Sequence, residues 1–114
     1  EIGGIVHTHS LYATAWAQAK KDLPSFGTTQ ADYWYGEVPC TRLMKPTEIK
    51  KDYEANTGHV IVERFRGLDP RQHPAVLVAS HGPFTWGATV MQSVETSIAL
   101  EAVARMALQS GSSF

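Results

Sequence analysis

The chain has 114 residues, of which 43% are hydrophobic and 18% charged, and its formal net charge is -1. This composition fits one globular domain with a single core. The net charge is close to zero, so it does not indicate binding to nucleic acid or to an anionic membrane surface. No apolar run approaches the roughly 20 residues of a membrane-spanning helix, so we expect no membrane contact. Cys40 is the only cysteine. Without an intramolecular disulfide the chain fits the cytoplasm, although an exported protein that needs no bridge would fit as well.

The first apolar segment, residues 2–8, predicts a buried strand that ends in two histidines. Side chains two positions apart on a strand share a face, so His7 and His9 can hold one ion. A third imidazole, His81, follows the apolar residues 75–79. Three nitrogens with one position left open are typical of catalytic zinc, whereas structural zinc usually has four ligands rich in cysteine. The alternative is that a pattern as short as His-x-His arises by chance.

A helix is predicted next over residues 11–20, with Ser10 as its N-cap, and Trp16 is most simply a core residue. The polar loop that follows, residues 27–36, leads into an aromatic cluster. Loops on a rigid scaffold often carry catalytic groups, and Asp32 is the candidate here. Asp32 is either an ordinary turn residue or a carboxylate that transfers protons beside the metal.

The middle of the chain predicts a helix over residues 47–56, capped by Thr47 and ended by Thr57 and Gly58. Residues 59–65 fit either a strand or a helix, and their spacing together with Leu68 favours the helix. His59 and His73 lie in polar surroundings, and we expect both to face solvent.

The last third predicts a buried strand over residues 75–79, a rigid turn over 82–87, and a helix that begins at Thr89 or Ser93 and runs to about residue 109. The inner face of this helix is predicted to hold six mostly apolar side chains: Val90, Val94, Ile98, Glu101, Ala102 and Met106. Residues 109–114 are predicted to form a flexible tail.

Helical periods around apolar strand segments indicate an α/β sandwich in one domain, residues 1–114. The apolar start and the frayed end suggest that N-terminal and C-terminal portions of this domain are missing.

Four separated motifs together resemble the L-ribulose-5-phosphate 4-epimerases of the class II aldolase and adducin-head superfamily, in the family's order and near its spacing. The motifs are Gly3-Gly4-Ile5-Val6-His7-Thr8-His9-Ser10, Gly27-Thr28-Thr29 with Ala31-Asp32-Tyr33, Val38-Pro39-Cys40-Thr41-Arg42, and Ser80-His81-Gly82-Pro83-Phe84 with Trp86-Gly87. The resemblance covers nearly the whole chain.

The resemblance implies a three-layer α/β/α fold around a largely antiparallel sheet, and Zn²⁺ held by His7, His9 and His81. It also implies that Asp32 donates or accepts a proton and that Glu54 lies near the site. Zinc-assisted retro-aldol cleavage and recombination would invert C4 of L-ribulose 5-phosphate to give D-xylulose 5-phosphate. Members are usually homotetramers with active sites at subunit interfaces.

Several family features are not found in these residues: the phosphate-binding region, a further carboxylate near the metal, and the tyrosine that serves as the second acid/base. Gln30 and Ala79 also stand where histidines are expected in close relatives. The alternatives are a class II aldolase acting on a sugar 1-phosphate and a non-catalytic interaction domain like the adducin head. Whether L-arabinose or L-ascorbate breakdown is served stays open.

Overall fold

The computed structural model describes residues 1–111, which form three strands and five helices. The strands are β1 (Gly4–His7), β2 (Ala75–Val78) and β3 (Gly82–Gly87). The helices are α1 (Leu11–Gln18), α2 (Thr28–Ala31), α3 (Pro46–Lys50), α4 (Tyr53–Arg64) and α5 (Val90–Gly111). Helix α5 thus includes the first part of the predicted flexible tail, and residues 112–114 lie outside the described residues.

The strands form an antiparallel sheet in the order β1-β3-β2, so the segment predicted as a rigid turn over 82–87 is in fact the central strand. The prediction was wrong because Gly82 and Pro83 are typical turn residues. Both occur at the start of β3, where a strand tolerates the missing proline N–H. Alternation from Phe84 to Trp86 then continues the strand, and His7 is paired with Phe84 in the register.

Helices cover both faces of this sheet. On one face the Thr85 hydroxyl donates a hydrogen bond to the carbonyl of Ser93 in α5, and α1 packs beside α5. Trp86 points to the opposite face, where its ring meets that of Phe65 at the end of α4, with 5.2 Å between centroids. The α/β/α arrangement with an antiparallel sheet is therefore confirmed.

The inner face of α5 is not the one that hydrophobicity predicted. Its buried residues are Ser93, Thr96, Leu100, Val103, Ala104 and Ala107. Val90, Ile98 and Met106 are instead 65%, 68% and 48% exposed. The sheet comes so close to α5 that a Cβ on Gly4 would lie 2.6 Å from the Cα of Val90. Where the sheet comes closest, the small side chain of Ser93 faces it, whereas Val90, Ile98 and Met106 are directed outward.

The helical region from 46 to 64 is broken at a different place than predicted. Residues 59–65 are almost all helical, as their spacing indicated, but Thr57 and Gly58 lie inside α4 rather than ending a helix. The Thr57 hydroxyl donates to the carbonyl of Tyr53 one turn earlier, which satisfies it within the helix. The break falls at Asp52, whose φ of 55° is left-handed.

His73 is buried, which corrects the prediction that it faces solvent, whereas His59 is exposed as expected. The backbone N–H of His73 donates to the carbonyl of Asp69, and its ring meets that of Tyr35 edge-on. The turn before β2 therefore folds inward and carries the imidazole with it. Over residues 1–111, no helix has both the length and the apolar character needed to cross a bilayer.

Candidate metal centre

His7 is the last residue of β1 and is held on two sides. Its ring stacks on that of Phe84, with 4.0 Å between centroids and 15° between planes. Its Nδ1 lies 2.9 Å from the carbonyl oxygen of Pro83. A carbonyl can only accept, so Nδ1 donates, and the Nε2 of a neutral His7 keeps a free lone pair.

His81 lies in the tight connection between β2 and β3. The residue before it, Ser80, has a left-handed φ of 65°, and the residue after it, Gly82, allows an unusually close approach. A Cβ on Gly82 would lie 2.8 Å from the carbonyl oxygen of Thr8 and 3.3 Å from the ring of His9. Glycine is needed at this position because any side chain would push the His81 connection away from the end of β1.

The structure brings together the three imidazoles that the sequence indicated. Ligand atoms of His7, His9 and His81 all lie within 4.8 Å of one another, and the Nε2 atoms of His7 and His81 are 3.1 Å apart. Burial lowers the pKa of His81, and the neighbouring charges of His7 and His9 lower it further. A lowered pKa favours the neutral ring, which is the form that binds a metal. The role of the three histidines as metal ligands stays a prediction.

Two residues of α4 border this cluster. The Tyr53 hydroxyl lies 3.0 Å from the Nδ1 of His81. Glu54 is exposed and lines a groove of about 1010 Å³ together with His7, Phe84 and other mostly apolar side chains. The sequence did not indicate Tyr53. The only sign of it was indirect, since the resemblance placed its neighbour Glu54 near the site.

Within residues 1–111, Asp32 does not lie close enough to His7, His9 and His81 to join them as a possible metal ligand. It is the exposed C-cap residue of α2 and lines a second cavity, of about 1020 Å³, which also contains Asp69 and Arg71. Trp86 lines both cavities, but His7 and Asp32 line different ones. Within one chain the candidate metal ligand His7 and the candidate proton-transfer group Asp32 therefore line two different, adjoining cavities.

Three imidazoles gathered at one end of an antiparallel sheet, between two helical layers, define an α/β/α domain with a candidate metal centre. The model of the class II aldolase and adducin N-terminal domain matches residues 1–108, and the chain belongs to this family.

Similar proteins agree with this assignment. The chain is 48% identical over 106 residues to L-ribulose-5-phosphate 4-epimerase UlaF of Salmonella paratyphi B, covering 93% of this chain and 46% of that relative. Among solved structures, an L-fuculose 1-phosphate aldolase matches with a TM-score of 0.69 at 20% identity, over 95% of this chain and 45% of that one. The corresponding aldolase of Thermus thermophilus matches with a TM-score of 0.65 at 21% identity, over 91% and 51%. The chain thus spans about half the length of the relatives it matches.

Proposed function

We propose that the full-length protein is a zinc-dependent L-ribulose-5-phosphate 4-epimerase that forms D-xylulose 5-phosphate by retro-aldol cleavage and recombination. The observation that carries this proposal is the convergence of His7, His9 and His81 within 4.8 Å at the end of β1. The similarity to UlaF, which is named for this reaction, supports the choice of substrate.

The donor set suits zinc. Imidazole nitrogens are preferred zinc ligands, and two nitrogens bound to one tetrahedral Zn²⁺ are about 3.3 Å apart, close to the separation of the His7 and His81 Nε2 atoms, 3.1 Å. Three histidines leave a fourth position for substrate. When bound, zinc would supply Lewis-acid stabilisation of the negative charge that develops as the C3–C4 bond breaks.

Asp32 is the proposed group that moves the proton of the C4 hydroxyl. Because it lines a different cavity from His7, we propose that the site combines Asp32 of one subunit with the imidazoles of another, in the homotetramer that the resemblance implies. Such a group typically contributes about 10²- to 10⁴-fold in rate. The substrate is a small sugar phosphate, and we expect the enzyme to act in the cytoplasm.

The test of the metal site compares His81→Ala with His59→Ala in the full-length protein. We expect roughly one tightly bound zinc per wild-type chain. His81→Ala should lose it while keeping its helical circular dichroism. His59 is exposed on α4, where its Nδ1 lies 3.3 Å from Asn56 Oδ1, so His59→Ala should keep zinc. Unchanged zinc in His81→Ala would contradict the site.

The reaction is tested by incubation with L-ribulose 5-phosphate and, separately, with L-fuculose 1-phosphate, followed by chromatography of the products. Formation of D-xylulose 5-phosphate supports the epimerase. Aldehyde release from the second substrate alone would instead identify an aldolase, the activity named for the solved structures. A wild-type protein that contains no zinc and cannot be reloaded would indicate a non-catalytic interaction domain.

A further inference from the structure

The contact between Tyr53 and His81 joins α4 to the imidazole cluster. Tyr53 is the first residue of α4, and its hydroxyl lies 3.0 Å from the Nδ1 of His81, on the side of the ring opposite Nε2. The rings are 5.8 Å apart between centroids. Metal-binding histidines usually need a partner on the nitrogen that does not bind the metal, since that partner fixes the tautomer and the orientation of the ring. His7 has a carbonyl in this place, and His81 has a phenol.

The positions of the ring protons decide which atom donates and which accepts in the contacts of His7 and His81. A neutral His7 donates from Nδ1 to the Pro83 carbonyl, so its Nε2 can only accept. His81 Nε2 lies 3.1 Å from that atom, and in the metal-free protein it therefore donates to it. The Nδ1 of His81 then carries a lone pair, and it accepts a hydrogen bond from the Tyr53 hydroxyl.

Metal binding would break the hydrogen bond between the two Nε2 atoms and reverse the one between Tyr53 and His81. An ion held by Nε2 of His81 needs the lone pair of that atom, so the proton of a neutral ring moves to Nδ1. The ring stays neutral and no net proton is released by His81. Nδ1 now donates, and its partner must accept. A hydroxyl can do both, whereas a carbonyl can only accept and a phenyl ring offers neither role.

The backbone supports this arrangement from both sides. Asp52, directly before Tyr53, has a φ of 55°, and Ser80, directly before His81, has a φ of 65°. Residues other than glycine adopt this left-handed region rarely, and such conformations persist where the surrounding structure requires them. Two of them direct the two partners of one hydrogen bond.

We propose that Tyr53 is a positioning residue of the metal centre, whose hydroxyl donates to His81 Nδ1 in the metal-free protein and accepts from it when Nε2 holds the ion. This inference rests on the metal site of the proposed function. Loss of such a partner typically lowers metal affinity about 10- to 100-fold.

The test uses the full-length protein labelled with ¹⁵N-histidine, as wild type, Tyr53→Phe and the control Tyr35→Phe. Tyr35 is 75% exposed, and its ring contacts His73, outside the cluster. In the wild type, NMR should show the His81 proton on Nε2 after chelator treatment and on Nδ1 after zinc addition, while the His7 proton stays on Nδ1. Tyr53→Phe should shift the His81 Nδ1 signal of the metal-free protein and weaken zinc binding at least tenfold in chelator competition. Tyr35→Phe should do neither.

Separate outcomes contradict the inference and the proposed function. A His81 ring already protonated on Nδ1 in the metal-free wild type, an unchanged Nδ1 signal in Tyr53→Phe, or zinc affinity within twofold of wild type would each overturn the role of Tyr53. A wild type that binds no zinc would overturn the proposed metal site and with it the acceptor role. In that case the metal-free spectra of wild type and Tyr53→Phe still decide whether Tyr53 donates to His81.

Discussion

The carboxylate of Glu101 in α5 accepts hydrogen bonds from the backbone N–H of Tyr12, at 2.9 and 3.2 Å, and from that of Ala13, at 2.9 Å. These are the first-turn donors of α1, which a capping side chain usually satisfies. Ser10 is at the N-cap position, but its hydroxyl makes no capping hydrogen bond within the described chain. A residue 88 or more positions away in sequence thus caps the helix that begins two residues after His9.

Replacing Glu101 with Ala should lower the free energy of unfolding by about 1–3 kcal/mol, because two backbone donors lose a charged acceptor and the helix N-terminus loses a negative charge. Glu101→Gln should cost less, since the amide oxygen can still accept. Urea denaturation measures both. Glu95→Ala is the control, because Glu95 is exposed on the same helix. Equal effects of the two alanine variants would contradict the capping role.

Gly4 and Gly58 should respond to alanine in opposite directions. A Cβ on Gly4 would lie 2.6 and 2.8 Å from backbone atoms of Val90, so Gly4→Ala should cost about 1–3 kcal/mol by forcing β1 and α5 apart. Apart from its chain neighbours and the nearby backbone of α4 itself, no described atom lies within 4 Å of a Cβ on Gly58, so Gly58→Ala should stabilise by about 0.5–1 kcal/mol. Thermal unfolding of both variants measures this difference, and a stabilised Gly4→Ala would contradict the close packing.

The layer architecture could be predicted from sequence because the spacing of apolar residues and the residues that begin and end helices are local properties of the chain. The inner face of α5 could not, because its position depends on how closely Gly4 lets the sheet approach. Hydrophobicity selected Ile98, which is exposed, over Ser93, which is fully buried. The central strand β3 was missed for a similar reason, since Gly82 is required by contact with Thr8 rather than by a turn.

Cys40 should make stability depend on alkaline pH. Burial raises the pKa of its thiol from 9.0 to about 11, the charge of Asp22 raises it too, and Arg64 opposes the shift. The folded protein therefore keeps the thiol proton to a higher pH than the unfolded chain, so stability is lost as pH rises from 9.0 towards 11. The free energy of unfolding should fall more steeply across this window in the wild type than in Cys40→Ala. Parallel curves would show that the thiol contributes nothing to the pH dependence.

The candidate site was only partly accessible from sequence. The two-residue spacing of His7 and His9 is a local pattern, His81 was indicated by its place after the apolar residues 75–79 and Asp32 by its polar loop, and the resemblance supported all four. The position of Asp32 on another cavity is a property of the folded chain that spacing does not contain. The Tyr53 contact likewise depends on the left-handed break at Asp52, which replaced the helix end predicted at Thr57.

A site shared between subunits predicts that two inactive variants restore activity when mixed. In the full-length protein, Asp32→Asn should keep zinc but lose epimerisation, and His81→Ala should lose both. Refolding the two together creates interfaces that join intact imidazoles of one chain to the intact Asp32 of another, so a fraction of the wild-type rate should return. Each variant refolded alone is the control. If the mixture stays as inactive as its components while mixed tetramers are detected by native mass spectrometry, Asp32 does not act on the imidazoles of a neighbouring subunit.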